Sequence, residues 1–251
     1  MIFFIHIGKT GGSTVDALLD GKIDSYKQYH NRREYKNIRK HNKHNKKYIV
    51  WIRNPIARFV SAFNHSYYGV HTDPKTIESF DLDHSIFPTR MKDSMNHPYV
   101  FSREYDALMK SFQNANELAE SLSSENTELQ DRARALMNRP EEHLYHGIGW
   151  YLYNGDFVEN NNDRIFFVGR TENMTADLSA LSKKLNVYLD TSLRVRENKY
   201  VDKSMKYLSP LAIKNITDFY KGTDYAALKK LCQYGWITQE VLDSYYIYEN
   251  K

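Results

Sequence analysis

Dense apolar runs alternate with amphipathic segments along the chain, and this pattern predicts strands followed by helices. Residues 2–7, 48–52 and 164–169 are apolar without regular alternation, which is typical of strands buried on both faces of a parallel sheet. Residues 25–29 predict a further strand. Helical spacing of apolar residues follows at 13–20, 55–67 and 172–185. We therefore predict an α/β fold, P-loop-like and three-layered, with a central parallel β-sheet of four or five strands flanked by helices.

The middle of the chain is less regular than its two ends. Helical patterns predict helices at 103–121, 127–137, 210–220, 225–232 and 238–246, and residues 154–163 predict a polar loop. Neither an internal repeat nor a flexible linker divides the sequence. We predict a single domain over residues 1–251, with residues 1–69 and 164–251 as its core and residues 70–163 as a variable region.

Composition agrees with a packed domain in a reducing compartment. The 251 residues are 41% hydrophobic, which suffices for a sizeable core. A lone cysteine excludes a disulfide framework and a multi-cysteine zinc site. The first apolar run contains a histidine and leads into glycines, so it is too short for a signal peptide or a membrane span. We expect a soluble, cytoplasmic protein, and a fragment of a membrane-anchored parent is the alternative.

Positive charge is concentrated in one segment of the chain. The net charge is only +4, but residues 27–47 hold nine lysines and arginines against the single acid Glu34. Such a segment suits an anionic ligand, a solvated surface, or a nucleic-acid-binding module. His41 and His44 have the spacing of helical metal ligands, but no cysteine or acid accompanies them, so no metal site is expected.

Residues 3–15, FFIHIGKTGGSTV, look like a phosphate-binding loop that lacks one glycine. A Walker A loop has a glycine five residues before its Gly-Lys pair, and Phe3 holds that position here. Lys9 begins the glycine turn instead of ending it, which suits one phosphate with an ammonium group beside a bridging oxygen. The backbone N–H groups that can surround this phosphate belong to Thr10, Gly11, Gly12, Ser13 and Thr14. A P-loop nucleotide kinase is an alternative, disfavoured by Phe3 and by the lack of an obvious Walker B aspartate.

A second cluster, RNPIARFVSAF, follows the strand at 48–52. Arg53 stands at the end of that strand, and Pro55 suits the first turn of a helix. Arg58 and Ser61 are three residues apart, so we expect them to share a helix face. Parallel neighbouring strands would bring both loops to one edge of the sheet, where a second phosphate could bind. Arg58 either approaches this ligand or stabilises the fold by pairing with an acid.

These two segments resemble the hallmarks of the PAPS-dependent sulfotransferases, especially their carbohydrate (heparan and uronyl 2-O-like) branch. HIGKTGGST is similar to the family's HIPKTGGTS loop, and RNPIARFVSAF fits its RNPxxRxxSxF motif. Residues 168–187 and 208–228 resemble later units of the family, and the match is weakest between residues 70 and 160. One departure is Gly8, where the family commonly has proline.

The resemblance implies a role for each motif. Lys9 would contact the 5′-phosphosulfate, the loop Thr10–Thr14 would bind the 5′-phosphate, and Arg53 with Ser61 would hold the 3′-phosphate. The core would bind the donor PAPS, and residues 70–163 would form the acceptor side. Sulfuryl transfer to a hydroxyl of a sugar or polysaccharide would release PAP, with no metal needed because PAP leaves as an ionised phosphate. A family member that only binds PAP is an alternative, and no nucleic-acid partner is expected.

Removal of the acceptor proton requires a general base. The family's YHGH stretch resembles QYHNRREY here, which puts His30 at 23 residues before Arg53 and makes it our first candidate. His65 is the second candidate and Glu34 the third. His6, on the first strand, is expected to be a hydrogen-bonded core histidine.

Overall fold

The computed structural model describes residues 1–29, 46–71, 102–140, 142–195 and 202–250. Within these ranges a four-stranded parallel sheet occupies the centre, in the order β2-β1-β3-β4. The strands are β1 (Ile2–Ile5), β2 (Tyr26–Tyr29), β3 (Lys47–Ile52) and β4 (Ile165–Arg170). The predicted α/β architecture with a central parallel sheet is confirmed.

Helices follow the strands and cover the sheet. In chain order they are α1 (Gly12–Leu19), α2 (Pro55–His71), α3 (Arg103–Met109), α4 (Ala115–Ser121), α5 (Thr127–Met137), α6 (Ile148–Leu152), α7 (Asp156–Asn161), α8 (Met174–Leu185), α9 (Pro210–Tyr220), α10 (Asp224–Gln233) and α11 (Gln239–Ser244). Short 3₁₀ turns occupy Tyr153–Gly155, Asn162–Arg164, Thr171–Asn173 and Lys203–Lys206.

Successive side chains of the central strands enter two different cores. Phe3 and Ile5 of β1 belong to the larger core, which they share with α2 and most of the later helices. Phe4 and Trp51 belong to the smaller core, together with α1 and α8. Both faces of these strands are therefore buried, which explains why their sequences show no polar alternation.

Two predicted boundaries in the variable region are wrong. The helix predicted at 103–121 is two helices, because Asn114 ends the intervening turn and caps α4 by accepting a hydrogen bond from Glu117 N at 2.9 Å. The polar loop predicted at 154–163 contains α7. Phe157 and Val158 are buried in the larger core, and two apolar residues suffice to fix this short helix despite its polar neighbours.

Across the described ranges, no helix is both long enough and apolar enough to span a lipid bilayer.

Candidate functional site

Three loops meet at the carboxyl edge of the sheet, where β1, β3 and β4 end. The hydroxyl of Thr171 donates to the carbonyl oxygen of Thr10 at 2.6 Å and lies 3.2 Å from that of Ile52. Arg53 Nη1 donates to the carbonyl oxygen of Lys9 at 3.2 Å. The structure therefore brings Arg53 and the glycine loop together, as expected for adjacent parallel strands. Thr171 was not identified from the sequence, because an isolated hydroxyl after a strand has no distinctive pattern.

The glycine loop turns sharply through two left-handed residues. Lys9 has φ 68° and Gly11 has φ 75°. Glycine adopts this region freely, whereas a lysine there is held against a local conformational cost of about 1–3 kcal/mol. The buried Thr10 between them donates its hydroxyl to Ile7 O at 2.9 Å. The surrounding contacts thus fix Lys9 at the start of the turn.

Helix α1 begins directly in this loop with unused backbone donors. It starts at Gly12, one residue before the predicted start, and no side chain caps it. The N–H groups from Thr10 to Ser13 have no hydrogen-bond acceptor among the described residues. Successive free N–H groups at a helix N-terminus form a site that suits an anion.

Thr14 differs from the other residues of the predicted phosphate loop. Its N–H donates to Gly11 O at 3.1 Å, within the first turn of α1. Its hydroxyl accepts a hydrogen bond from Val195 N at 2.9 Å. The Thr14 side chain therefore anchors the segment around Val195 to the start of α1.

Close packing requires glycine at the first residue of α1. A Cβ atom on Gly12 would lie 2.0 Å from Cδ2 of His6. His6 is buried and hydrogen-bonded through Nδ1 to the side-chain amide of Gln28. The expectation of a core histidine is confirmed, and its ring lies directly beneath the loop.

The loop after β3 is held to the C-terminal part of the chain. Asn54 caps α2 by accepting from Ile56 N at 2.8 Å, and its own N–H donates to Glu172 Oε1 at 2.9 Å. Tyr245 donates its hydroxyl to Glu172 Oε2 at 3.0 Å. Burial lowers the pKa of the neighbouring Arg53, while the charge of Glu172 raises it.

Arg58 points into the protein and pairs with an acid. Its side chain is 0% exposed, and Nε lies 3.5 Å from Asp224 Oδ2. Nη1 donates to the carbonyl oxygen of His143 at 2.8 Å. Ser61, three residues further along α2, is partly exposed. Of the two roles considered for Arg58, the geometry corresponds to stabilising the fold.

The surroundings of this ion pair are also hydrogen-bonded. Asp224 Oδ1 accepts from Gly149 N at 2.9 Å, and Tyr220 donates its hydroxyl to Leu144 O at 2.5 Å. Burial raises the pKa of Tyr220 to about 12, with Arg58 opposing the shift. Burial also raises the pKa of Asp224 above its ordinary value, although Arg58 opposes it. The ion pair joins α2 and α10 to the segment before α6.

One histidine side chain lies against the glycine loop, and a second packs on the first. His65 is four residues after Ser61 on α2, and both are partly exposed. The ring of His65 lies 5.4 Å from that of His143, centroid to centroid. The His143 ring in turn packs on Gly8, because Nδ1 is 2.5 Å from where a Cβ atom of residue 8 would stand. His143 was missed from the sequence, where the only signal was glycine in place of the family's proline.

Several predicted residues fall outside the part of the chain that the structure describes. These are His30, Glu34, the histidine pair His41 and His44, and most of the basic segment 27–47. The first and third candidates for the general base therefore stay predictions.

The chain was compared with families and with individual proteins. A family model described as the sulfotransferase family matches residues 1–234. This range includes both motifs, all four strands described here, and α1 to α10. No curated protein and no solved structure matches the chain significantly. Because the family model covers most of the 251 residues, the chain belongs to the sulfotransferase family.

Proposed function

We propose that this protein transfers a sulfuryl group from PAPS to a hydroxyl of a carbohydrate or polysaccharide and releases PAP. The observation that carries the proposal is the hydrogen bond from Arg53 to the carbonyl oxygen of Lys9, which joins two anion-binding motifs at one sheet edge. A nucleotide with phosphates on both its 5′ and 3′ positions needs two such motifs side by side. Membership of the family supports sulfuryl transfer as the general chemistry.

The residues present fit such a ligand. The N–H groups from Thr10 to Ser13 offer donors for a 5′-phosphate, and Arg53 with Ser61 offers a guanidinium and a hydroxyl for a 3′-phosphate. PAPS, when bound, supplies the sulfuryl group. Lys9 would contribute a fixed positive charge where negative charge develops on the leaving phosphate oxygen. Its position in a constrained turn supports this role, because a preorganised cation needs little rearrangement during the reaction.

The kinase alternative finds less support in the same loop. Phe3, which holds the position of the first Walker glycine, is part of β1 and is buried in the larger core. The loop therefore lacks the additional turn with which a Walker A sequence surrounds a triphosphate.

The acceptor side is proposed to come from residues 70–163. In support, His143 from this region packs on Gly8, directly before Lys9. The carbohydrate acceptor rests on the similarity of both motifs to the carbohydrate branch. His30 is the base that this similarity implies.

Calorimetric titration with PAP, and separately with ATP and magnesium, tests the donor assignment. We expect PAP to bind without metal, and Arg53→Ala to weaken binding about 10- to 100-fold because charge-assisted hydrogen bonds are lost. Lys9→Ala should weaken PAP binding less, because PAP lacks the sulfuryl group. Arg132→Ala is the matched control, since Arg132 is exposed on α5 and pairs with Glu128. Binding of ATP with magnesium but not of PAP would favour the kinase instead.

A transfer assay tests the acceptor class. Sulfur-labelled PAPS is incubated with desulfated heparin, desulfated dermatan or dextran, and label in the polysaccharide is measured. Transfer that Lys9→Ala abolishes would support the proposal. PAP binding with no transfer to any polysaccharide would favour the binding-only alternative, and salt-sensitive RNA or DNA binding without PAP binding would favour a nucleic-acid module.

A further inference from the structure

We propose that His143 is the general base that accepts the proton of the acceptor hydroxyl. The inference rests on the proposed sulfuryl transfer and replaces His30 in that role. The His143 ring lies against the glycine loop, its backbone is held by Arg58, and a glycine faces it in the loop.

The ring of His143 lies at the start of the glycine loop. Nδ1 and Cε1 are the ring atoms nearest to the position that a Cβ atom of Gly8 would occupy, at 2.5 and 2.9 Å. The Nδ1 edge therefore faces the loop, and Nε2 lies on the edge turned away from Gly8. The imidazole therefore lies against the residue that directly precedes Lys9, the residue assigned to the leaving group.

His143 also stands between the two phosphate motifs. Its ring lies 5.4 Å from that of His65, which is one helical turn beyond Ser61 on α2. One side of His143 thus meets the loop of the 5′-phosphate motif, and the other meets the helix of the 3′-phosphate motif. Both imidazoles are partly exposed, so a ligand can reach them.

The backbone of His143 is held by a hydrogen bond from the buried Arg58. Its carbonyl oxygen accepts a hydrogen bond of 2.8 Å from Arg58, whose side chain is 0% exposed and is paired with Asp224. A catalytic side chain must be held within about half an ångström of its productive position, and a buried ion pair beneath its backbone provides such support. Arg58 is in this view a positioning residue.

Gly8, the loop residue that faces His143, has no side chain and so leaves room for the imidazole ring. Any side chain at position 8 would place its Cβ within 3 Å of the imidazole, so glycine is what allows the ring to lie there. The proline that is common in the family would occupy this space. Glycine at position 8 and histidine at position 143 therefore form a complementary pair.

The reaction balances with His143 as base. The acceptor oxygen forms a bond to sulfur while the bond between sulfur and the bridging oxygen of PAPS breaks. The acceptor proton passes to Nε2 of His143, and the electron pair of the broken bond stays on the phosphate of PAP. Two groups of α2 contact His143: the ring of His65 faces its ring, and Arg58 donates to its carbonyl oxygen. Glu142 precedes His143 in the chain, and Lys9 follows the Gly8 on which its ring packs.

The test compares His143→Gln with His30→Gln and with His71→Gln. His71 is an exposed residue at the end of α2, bonded to Tyr67 O, and serves as the control. We expect His143→Gln to lower kcat for transfer from PAPS to desulfated heparin at least about 100-fold, and to remove the acidic limb of the pH–kcat profile. KM for PAPS and PAP binding should change less than about two-fold. Added imidazole should partly restore His143→Ala.

A double-mutant cycle separates catalysis from folding. Gly8→Ala should lower kcat because it displaces the ring, and it should have little further effect in the His143→Ala background. Circular dichroism melting curves confirm that each variant is folded. Additive effects of the two changes would contradict the inference, because the ring would then act independently of residue 8.

The outcomes distinguish this inference from the proposed function. Wild-type protein that neither binds PAP nor transfers sulfate would refute both. Transfer that His143→Gln preserves, with the acidic limb lost in His30→Gln, would refute only the assignment of His143.

Discussion

Replacing Asp224 by alanine tests the buried ion pair beneath the site. Asp224 is 1% exposed, and its carboxylate compensates the guanidinium of Arg58, which is 0% exposed. In Asp224→Ala the guanidinium stays buried without this partner, and Gly149 N loses its acceptor. Removing one member of a buried pair costs about 3–5 kcal/mol, because the remaining charge is uncompensated.

Asparagine at the same position separates charge from hydrogen bonding. The amide oxygen of Asp224→Asn can still accept from Gly149 N, so only the charge pairing with Arg58 is lost. We expect a loss of about 1–3 kcal/mol for this variant, smaller than for alanine.

Urea denaturation followed by far-ultraviolet circular dichroism measures both losses. The slope of the transition should stay constant, which would show that the same surface is exposed on unfolding. Asp218→Ala is the matched control, because Asp218 pairs with Lys214 on the exposed face of α9. Its denaturation midpoint should hardly move, since an exposed ion pair contributes little.

A small effect of the alanine variant would contradict the dependence of Arg58 on Asp224. If Asp224→Ala lowers the unfolding free energy by less than about 1 kcal/mol, the buried charge of Arg58 is compensated elsewhere. The carbonyl oxygen of His143 would then not depend on this pair for its support.

Three further changes probe the loop and the core. Gly12→Ala places a Cβ atom 2.0 Å from His6 and should cost about 1–3 kcal/mol in thermal denaturation, whereas Gly222→Ala, with no atom within 4 Å, should cost little. Thr171→Val removes the hydroxyl that joins the loops and should weaken PAP binding in calorimetry, whereas Thr171→Ser should preserve it. Tyr220 has a pKa of about 12 against an ordinary 10, so its stabilisation is complete below pH 10 and is lost as the pH rises through 12. Tyr220→Phe should therefore show a shallower alkaline loss of unfolding free energy, by about 1.3 kcal/mol, in urea denaturation compared at about pH 9 and about pH 11.

The sheet could be predicted because its signals are local. In β1, Phe3 enters one core and Phe4 the other, so an unbroken apolar run encodes a strand covered on both faces. The two segments proposed to bind phosphate could also be found from the sequence, since each is a contiguous segment after a strand. Parallel pairing then requires that both motifs lie at the same edge.

The remaining site features depend on contacts between distant segments. His143 meets Gly8 only through the tertiary fold, and no periodicity near either residue encodes that contact. The sequence failed to predict α7 for a similar reason. Phe157 of this helix packs on Tyr48 of β3, with ring centroids 5.1 Å apart. The secondary-structure propensities of neighbouring residues encode neither the contact of His143 with Gly8 nor that of Phe157 with Tyr48.

The second motif combines two kinds of residue on one helix. Ser61 and His65 are one turn apart and face outward, where a ligand can reach them, whereas Arg58 faces the core. Because Asp224 compensates its charge, Arg58 adds little field at the sheet edge and acts through the backbone that it holds. The segment that the sequence predicts as a single phosphate site therefore has two parts: an outward face with Ser61 and His65, and an inward, supporting side with Arg58. If His143 is the base and this segment holds the 3′-phosphate as proposed, the supporting face connects that site to the proton transfer at the opposite end of the nucleotide.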